Sequence, residues 1–476
     1  MRVVFLGLLW TLSGCGFSAN HYLLIDQSLL ANDPRRADAI MAQAESEYGS
    51  RNRLLYDMDR GMTLHLAGDY VQSNSLLEQA SLEVERLYTR TIRTETAAFL
   101  TNDTMLPYEG DPYEHVMINV VKALNYAAMG QLMEAVVEAR QIDHRLNVLS
   151  DSAKEKDGYR EDAFARYLTG VLYEATGDLN NAFIAYRKAY EIYESTRGWA
   201  RTPMPPMLRA DLLRTTDALH MTAEFEEYRR QFPDTGWVSL QGQPDLAQVV
   251  VIGYNGRAPR KEEVHLDIPV SLGALQLVLL NRGVIHASNR QERRVADSVL
   301  YGLNGRVVRV ALPRLVPQKT QVSHESITLV PRNGEPITGQ SQLMYNGTAL
   351  AEKSLSDRIP GITTKALARA AAKFTAAEAA TRGSQHAVNK GDAAWVGLLV
   401  GLLTHGLAVA SEVADTRSWR TLPDEIQISR LWVPAGEYES RIQPVLRSGG
   451  ATQAGVSRPL VLRAGHTVFL IERVVL

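Results

Sequence analysis

"GVLYEATGDLNNAFIAYRKA" runs from Gly170 to Ala189. Apolar and small residues recur at helical spacing on both sides of Gly177, and a glycine between two such runs permits a tight turn. Two other stretches share the layout: "GMTLHLAGDYVQSNSLLEQA" (Gly61–Ala80) and "ALNYAAMGQLMEAVVEARQI" (Ala123–Ile142). Aligned on Gly68, Gly130 and Gly177, each has a small residue seven positions earlier (Gly61, Ala123, Gly170) and Tyr or Leu two positions later. Each also has a small residue five positions later (Ser73, Ala135, Ala182). Helical periodicity alone fits any bundle. The joint spacing in three copies predicts antiparallel helix pairs that touch where side chains are small.

The pattern resembles the tetratricopeptide repeat, or TPR. The copies lie farther apart than the roughly 34 residues of adjacent TPRs. The insertions are expected to hold extra helix and the loop "LTNDTMLPYEGDPYE" (Leu100–Glu114), whose Pro, Gly and Asn/Asp are turn chemistry. Residues 20–232 read as helical almost throughout. A fourth pair is expected over Pro206–Phe232, after the helix breaker "TPMPP". The resemblance implies a concave groove lined by the first helix of each pair. The positions matching the Lys and Asn of peptide-binding TPRs are Met58, Met62, Val120, Leu124, Tyr167 and Val171. All six are apolar, which argues against a carboxylate clamp. The groove takes an apolar helix or strand of a partner, or the protein's own insertions fill it.

From Val249 the texture changes to short β-branched runs bounded by Gly, Pro and Asn. They include "QVVVIGYNG" (Gln248–Gly256), "RVVRVALPRLV" (Arg306–Val316), "EIQISRLWVP" (Glu425–Pro434) and "HTVFLIERVVL" (His466–Leu476). The expected fold class is α+β: a TPR-like solenoid followed by a mostly antiparallel, sandwich-like β domain with inserted helices. The expected division is a signal peptide over 1–14, repeats over 15–235 and the β-rich domain over 236–476, with a helical insertion at 361–414. In that insertion "TTKALARAAAKFTAAEAATRG" (Thr363–Gly383) is strongly helix-forming, with Lys365, Arg369 and Lys373 on one face. That stripe reads as a solvated face or a contact for anionic lipid. "AAWVGLLVGLLTHGLAVAS" (Ala393–Ser411) has no acid, Lys or Arg. It reads as a buried helix or as a membrane-contacting, self-associating one.

The amino terminus, "MRVVFLGLLWTLSGC", has one cation at Arg2, an apolar run from Val3 to Leu12, then Ser13, Gly14 and Cys15. That is the layout of a secretory signal peptide. "LSGC" resembles the lipobox of bacterial lipoproteins. The resemblance implies that the chain is cut before Cys15 and that its thiol receives a diacylglycerol, with palmitate-type acyl chains as anchor. Gly16 in place of Asp implies sorting to the outer membrane. Cys15 is the single cysteine, so no disulfide forms.

The 476 residues carry a net charge of −2, so no global field draws the protein to nucleic acid, and "RK" (Arg260, Lys261) and "RQERR" (Arg290–Arg294) lack interleaved aromatics. There is no P-loop, dinucleotide fingerprint, nucleophile elbow or HExxH, and the 11 histidines lack metal-ligand spacing. No cofactor and no metal is expected. One dense polar stretch remains: "ADTRSWRTLP" (Ala414–Pro423). Its Asp415, Arg417 and Trp419 could form a ligand or glycan corner. The reading that their position favours is that they fix the junction between a helix and the strand from Glu425.

The lipobox, "YEGDPYEHVMINVVKALNYAAMG" (Tyr108–Gly130), "EARQID" (Glu138–Asp143), "NGRAPRKEE" (Asn255–Glu263) and "ADTRSWRTLP" together resemble a group of proteobacterial outer-membrane lipoproteins. Those have TPRs in front and a β domain behind. The resemblance implies an envelope role and supplies no reaction. The expectation is therefore a non-enzymatic, periplasm-facing, lipid-anchored adaptor or assembly factor. Its TPRs would contact envelope protein partners, and its β domain a second partner or peptidoglycan. The alternatives are a glycan- or ligand-binding or enzymatic module at 414–423, or a membrane-contacting oligomer using residues 393–411.

Overall fold

A computed structural model describes residues 20–100, 103–152, 161–200, 202–240, 243, 245–269, 307–381, 413–450 and 455–474. Cys15 with its leader, Arg290–Arg294 and Ala393–Ser411 lie outside the described residues.

Among the described residues three short helices come first: α1 (Asn20–Leu30), α2 (Pro34–Gln43) and α3 (Glu45–Tyr48). Four helix pairs follow. They are α4 (Arg53–Ala67) with α5 (Tyr70–Leu100), α6 (Pro112–Ala128) with α7 (Leu132–Ser152), α8 (Ala163–Ala175) with α9 (Leu179–Ala200), and α10 (Pro206–Ala218) with α11 (Thr222–Gln231). Each pair turns in the same way. Gly68, Gly130 and Gly177 adopt φ of 81°, 73° and 81°, and His220 takes the same role at 56°. In the first pair Gly68 N–H donates to the His65 carbonyl and Asp69 N–H to that of Leu64. The same two bonds recur at Gly130, Gly177 and His220. This double bond pattern satisfies carbonyls that a helix end leaves free, and it needs a left-handed residue.

The small residues do what their spacing implied. A Cβ on Gly61 would stand 2.7 Å from the Leu77 side chain, and one on Gly170 would stand 2.5 Å from the Tyr186 ring. Ser73 Oγ donates to the Gly61 carbonyl. These are TPR-like helix pairs. The wide spacing of the copies is partly taken up by α5, 31 residues long.

Among the described residues the β-rich part has ten strands. The first sheet has the order β10 (Thr467–Val474), β1 (Leu246–Asn255), β7 (Glu425–Pro434), β6 (Gln342–Asn346). The second has β5 (Ile337–Gln340), β4 (Val322–Pro331), β8 (Gly436–Leu446), β9 (Val456–Leu462). A separate ribbon pairs β2 (Arg260–Pro269) with β3 (Val307–Val316). The chain switches sheet at Ser341, at Ala435 and between β9 and β10. Pairing is antiparallel except between β1 and β10, which run parallel.

β1 explains the layering. Val249 and Val251 join Ile327, Leu329, Ile442 and Leu462 in an apolar core between the two sheets. Val250, Ile252 and Tyr254, on the opposite face, join the helices' core. A strand buried on both faces reads as a continuous apolar run, which "VVVI" is. The first sheet is thus a middle layer, with the repeats on one side and the second sheet on the other.

The long helix α12 (Gly347–Thr381) starts well before residue 361. Its basic stripe is not a solvated or lipid-facing surface where its side chains are described. Lys365 and Arg369 lie 3.6 and 4.0 Å from the Asp103 carboxylate, and Arg369 is buried. Among the described residues no helix is long and apolar enough to cross a membrane.

Candidate functional site

The groove of the repeats comes first, because partners would lie there. Met58, Met62, Val120, Leu124, Tyr167 and Val171 are all completely buried. They share one core with Val250, Ile252 and Tyr254 of β1, Ile426 and Ile428 of β7, Met344 and Tyr345 of β6, and Trp419. The six positions are therefore closed off within the chain: the first sheet shares their core, and so do Leu350 and Ala351 of α12. No open clamp surface remains at these six positions.

Two polar seams stitch the sheet into the repeats. At the first, Arg430 of β7 reaches into the third and fourth helix pairs. Its Nη2 is 2.7 Å from Glu174 Oε2 and its Nη1 is 2.7 Å from Asp211 Oδ2. Arg214 donates to both oxygens of Glu174, at 2.7 and 2.9 Å. The Tyr186 hydroxyl donates to Glu174, and that of Tyr167 donates to Asp211, both at 2.6 Å. Burial alone would raise the Glu174 carboxyl; the guanidiniums of Arg214 and Arg430 outweigh it and hold Glu174 well below its ordinary value. Two acids and two guanidiniums with satisfied hydrogen bonds can remain charged in the interior. Nearby, His65 joins the first two pairs to β1. It bonds Asn125 Oδ1 and the Tyr254 hydroxyl, and burial pushes it down to about 4, so it is neutral at pH 7.

The second seam is "ADTRSWRTLP". Arg417 is buried and fully engaged. It pairs with Asp415 at 2.6 Å, donates to Asn52 Oδ1 at 2.8 Å, and donates to the carbonyls of Leu106 and Asp103 at 3.1 and 2.9 Å. Its guanidinium also stacks over Tyr108. These carbonyls belong to the α5–α6 connection, so Arg417 ties the stretch to the repeats. Trp419 is completely buried; its ring N–H donates to Thr421 Oγ1 and its backbone N–H to Glu114 Oε1, at 2.9 and 2.8 Å. Thr421 bonds Asp59 Oδ1 at 2.9 Å, and Arg420 stacks over Tyr22 at 4.1 Å. The corner read as a candidate ligand site is closed: Arg417 and Trp419 are buried, and Asp415, Arg417 and Trp419 bond within the chain.

The acids receiving this stretch were missed in the sequence. Glu114 closes a capping box with Asp111 at the start of α6. The spacing D-P-Y-E is legible as a helix start. What it does not show is that Glu114 turns its second oxygen to Trp419. Burial, then the neighbouring Asp111 charge, pushes Glu114 up to about 7. Asp111 itself is buried, but Lys261 at 2.8 Å and the Arg358 guanidinium hold it well below its ordinary value. Burial pushes Asp59 up to about 6 despite bonds from Tyr22, Tyr48 and Thr421. Perturbed carboxyls often mark active sites. Here they serve buried structural bonds. Among the described residues no group of three or more His, Cys, Asp or Glu could hold a metal ion.

No protein-family model matches the chain, and no curated protein matches it. Among solved structures it is similar to MamA residues 41 to the end from Desulfovibrio magneticus RS-1, at 14% identity and a TM-score of 0.28, over 46% of this chain and 95% of that one. It is similar to the nearly identical TPR-like repeats of a putative kinesin light chain from Podosopora anserina, at 17% and 0.31, over 45% and 92%. It is similar to the Rap conjugation gene regulator of plasmid pLS20, solved with the Phr* peptide, at 15% and 0.27, over 49% and 60%. What assigns the TPR-like repeats is the helix-pair geometry of this chain itself: the repeated left-handed turn and the glycine contacts beneath it.

Proposed function

We propose that the protein is a lipid-anchored, periplasm-facing scaffold of the bacterial outer membrane, without enzymatic activity. It engages envelope proteins through the outer faces of its repeats. The observation that carries this reading is the sealed groove: with all six groove positions buried in one core with the first sheet, partners are left the outer helices. Those helices carry apolar side chains in the open. Val71 and Leu82 on α5 are 70% and 58% exposed, and Met133 and Val137 on α7 are 67% and 51% exposed. Arg145 of α7 pairs with Glu85 of α5, which brings the two helices together at that point. Exposed apolar side chains joined into one patch mark interaction sites, and these four are the positions the reading assigns to such a patch. The anchor rests on the Cys15 motif, and the envelope setting on the same residues.

The test is capture of the acylated protein from its own envelope, as wild type and as Met133→Glu/Val137→Glu, together with an intact mass. A partner retained by wild type and lost by the variant supports the scaffold. A partner set unchanged by substitutions on both α5 and α7 overturns it. An unmodified Cys15 overturns the anchor.

A further inference from the structure

The first helix has an outward face that the repeats do not use. α1 turns His21, Tyr22, Ile25, Ser28 and Leu29 inward. His21 bonds Tyr48, and Tyr22 bonds Asp59, so the helix is firmly docked. Its exposed positions are Asn20, Leu23, Leu24, Gln27 and Leu30, with exposed Ala31 just beyond its end. The spacing places them along one side of the helix. Leu23, Leu24 and Leu30 are 61%, 49% and 54% exposed, on a face without a charged residue. Asp26, at its flank, is tied to Arg257 at 2.7 Å. An outward helix face is ordinarily polar, so this one asks for a cover. Just after it, Arg35 and Arg36 open α2 and are both exposed.

We infer that this face of α1 rests in the headgroup layer of the bilayer that holds Cys15, with Arg35 and Arg36 meeting lipid phosphates. The inference rests on the lipid-anchor reading. Four residues, Gly16–Ala19, separate Cys15 from α1. A chain spans at most about 3.6 Å per residue, so α1 starts within roughly 18 Å of the acylated residue. A protein partner on this face would have to fit into that gap, whereas the bilayer surface is already there. An amphipathic helix buries its apolar side about 5–10 Å into the boundary between headgroups and acyl chains. Guanidiniums pair with phosphate through two parallel hydrogen bonds. Leucines followed by arginines supply both halves of that contact.

The experiment uses the acylated full-length protein in vesicles of phosphatidylethanolamine and phosphatidylglycerol. With Cys15 acylated, Leu24→Cys supplies the single free thiol, which is labelled with a nitrobenzoxadiazole dye. Glu226→Cys, on exposed α11, is the control. The expected result is that spin-labelled lipids quench most of the emission at position 24 and leave position 226 unchanged. Acylated protein whose position 24 is no more quenched than position 226 overturns the inference and leaves the anchor standing. An emission shift at position 24 without lipid quenching means that protein covers the face, and overturns the inference too. An intact mass without acyl chains overturns anchor and inference together. As a second readout, Leu23→Gln/Leu24→Gln/Leu30→Gln in an unacylated Cys15→Ser background is expected to lose flotation with the vesicles. Flotation equal to that of Cys15→Ser alone overturns the inference.

Discussion

Glu174 and Glu114 are both buried carboxyls at the boundary between repeats and first sheet, yet the boundary treats them in opposite ways. Glu174 faces two guanidiniums and is held charged. Glu114 faces a tyrosine hydroxyl, two backbone N–H groups and the like charge of Asp111, and is pushed up to about 7. The difference shows that one fold can close the same groove in two ways. One end is held by compensated charge. At the other, Glu114 itself is held by hydrogen bonds from neutral groups, beside the ion pairs of Asp111 and Arg417.

The sharpest way to break this comparison is Arg430→Met. It leaves Glu174 and Asp211 sharing Arg214 alone in the interior. Removing one partner of a buried ion pair costs about 3–5 kcal/mol, read as a lowered urea midpoint. A loss below about 1 kcal/mol, the value of an exposed pair, would mean that the charges contribute little and that the two seams are alike.

Gly170→Ala is expected to come next. Its added methyl meets the Tyr186 ring, whose hydroxyl holds Glu174. Overpacking of this kind costs about 1–3 kcal/mol. The same urea titration measures it, and an unchanged midpoint would show that the ring moves without disturbing the seam.

The pH response separates the seams directly. Glu174 lies below its ordinary value of 4.5, so its contribution is present above that pH and is lost as the pH falls. Glu114 is raised from 4.5 to about 7, so its contribution is complete below about 4.5 and is lost as the pH rises through 7. Between these values each proton retained only in the folded state lowers stability by up to about 1.4 kcal/mol per pH unit. Glu114→Gln removes one such proton, so stability measured from pH 5 to 7 is expected to fall less steeply. The slope is reduced rather than abolished, because Asp59 and Glu325 are also raised, to about 6 and about 8. An unchanged slope would mean that Glu114 is charged throughout.

The smallest effect is expected at His220→Gly. His220 holds a left-handed turn at φ 56° where the three other pairs have glycine. Relief of that conformation is worth about 1 kcal/mol, seen as a raised melting temperature. It would tighten the helix pair that carries Asp211 and Arg214.

Much of the helical half was legible. Gly61, Gly170 and the three turn glycines announce themselves because helix pairing is local, and a small residue at fixed spacing has one geometric meaning. The sealed groove was not legible. Met58, Val120 and Tyr167 are apolar whether they await a partner or already touch β1, and periodicity cannot tell the two apart. Arg430 in "EIQISRLWVP" reads as the outward residue of an ordinary strand, because its acids arrive from α8 and α10, far away in the chain. "ADTRSWRTLP" was recognisable as dense polar chemistry; its bonds to Asn52, Asp59 and Glu114 depend on the tertiary fold.

The sequence by itself determined the helix pairs and their turns, since each follows from neighbours a few residues apart and from the period of the secondary structure. The tertiary structure alone decided that the groove is filled from within, that β10 closes the sheet in parallel with β1, and that Arg430 and Trp419 face inward. Those outcomes depend on pairing residues hundreds of positions apart, and the charges that become compensated there look solvated until the fold brings their partners to them.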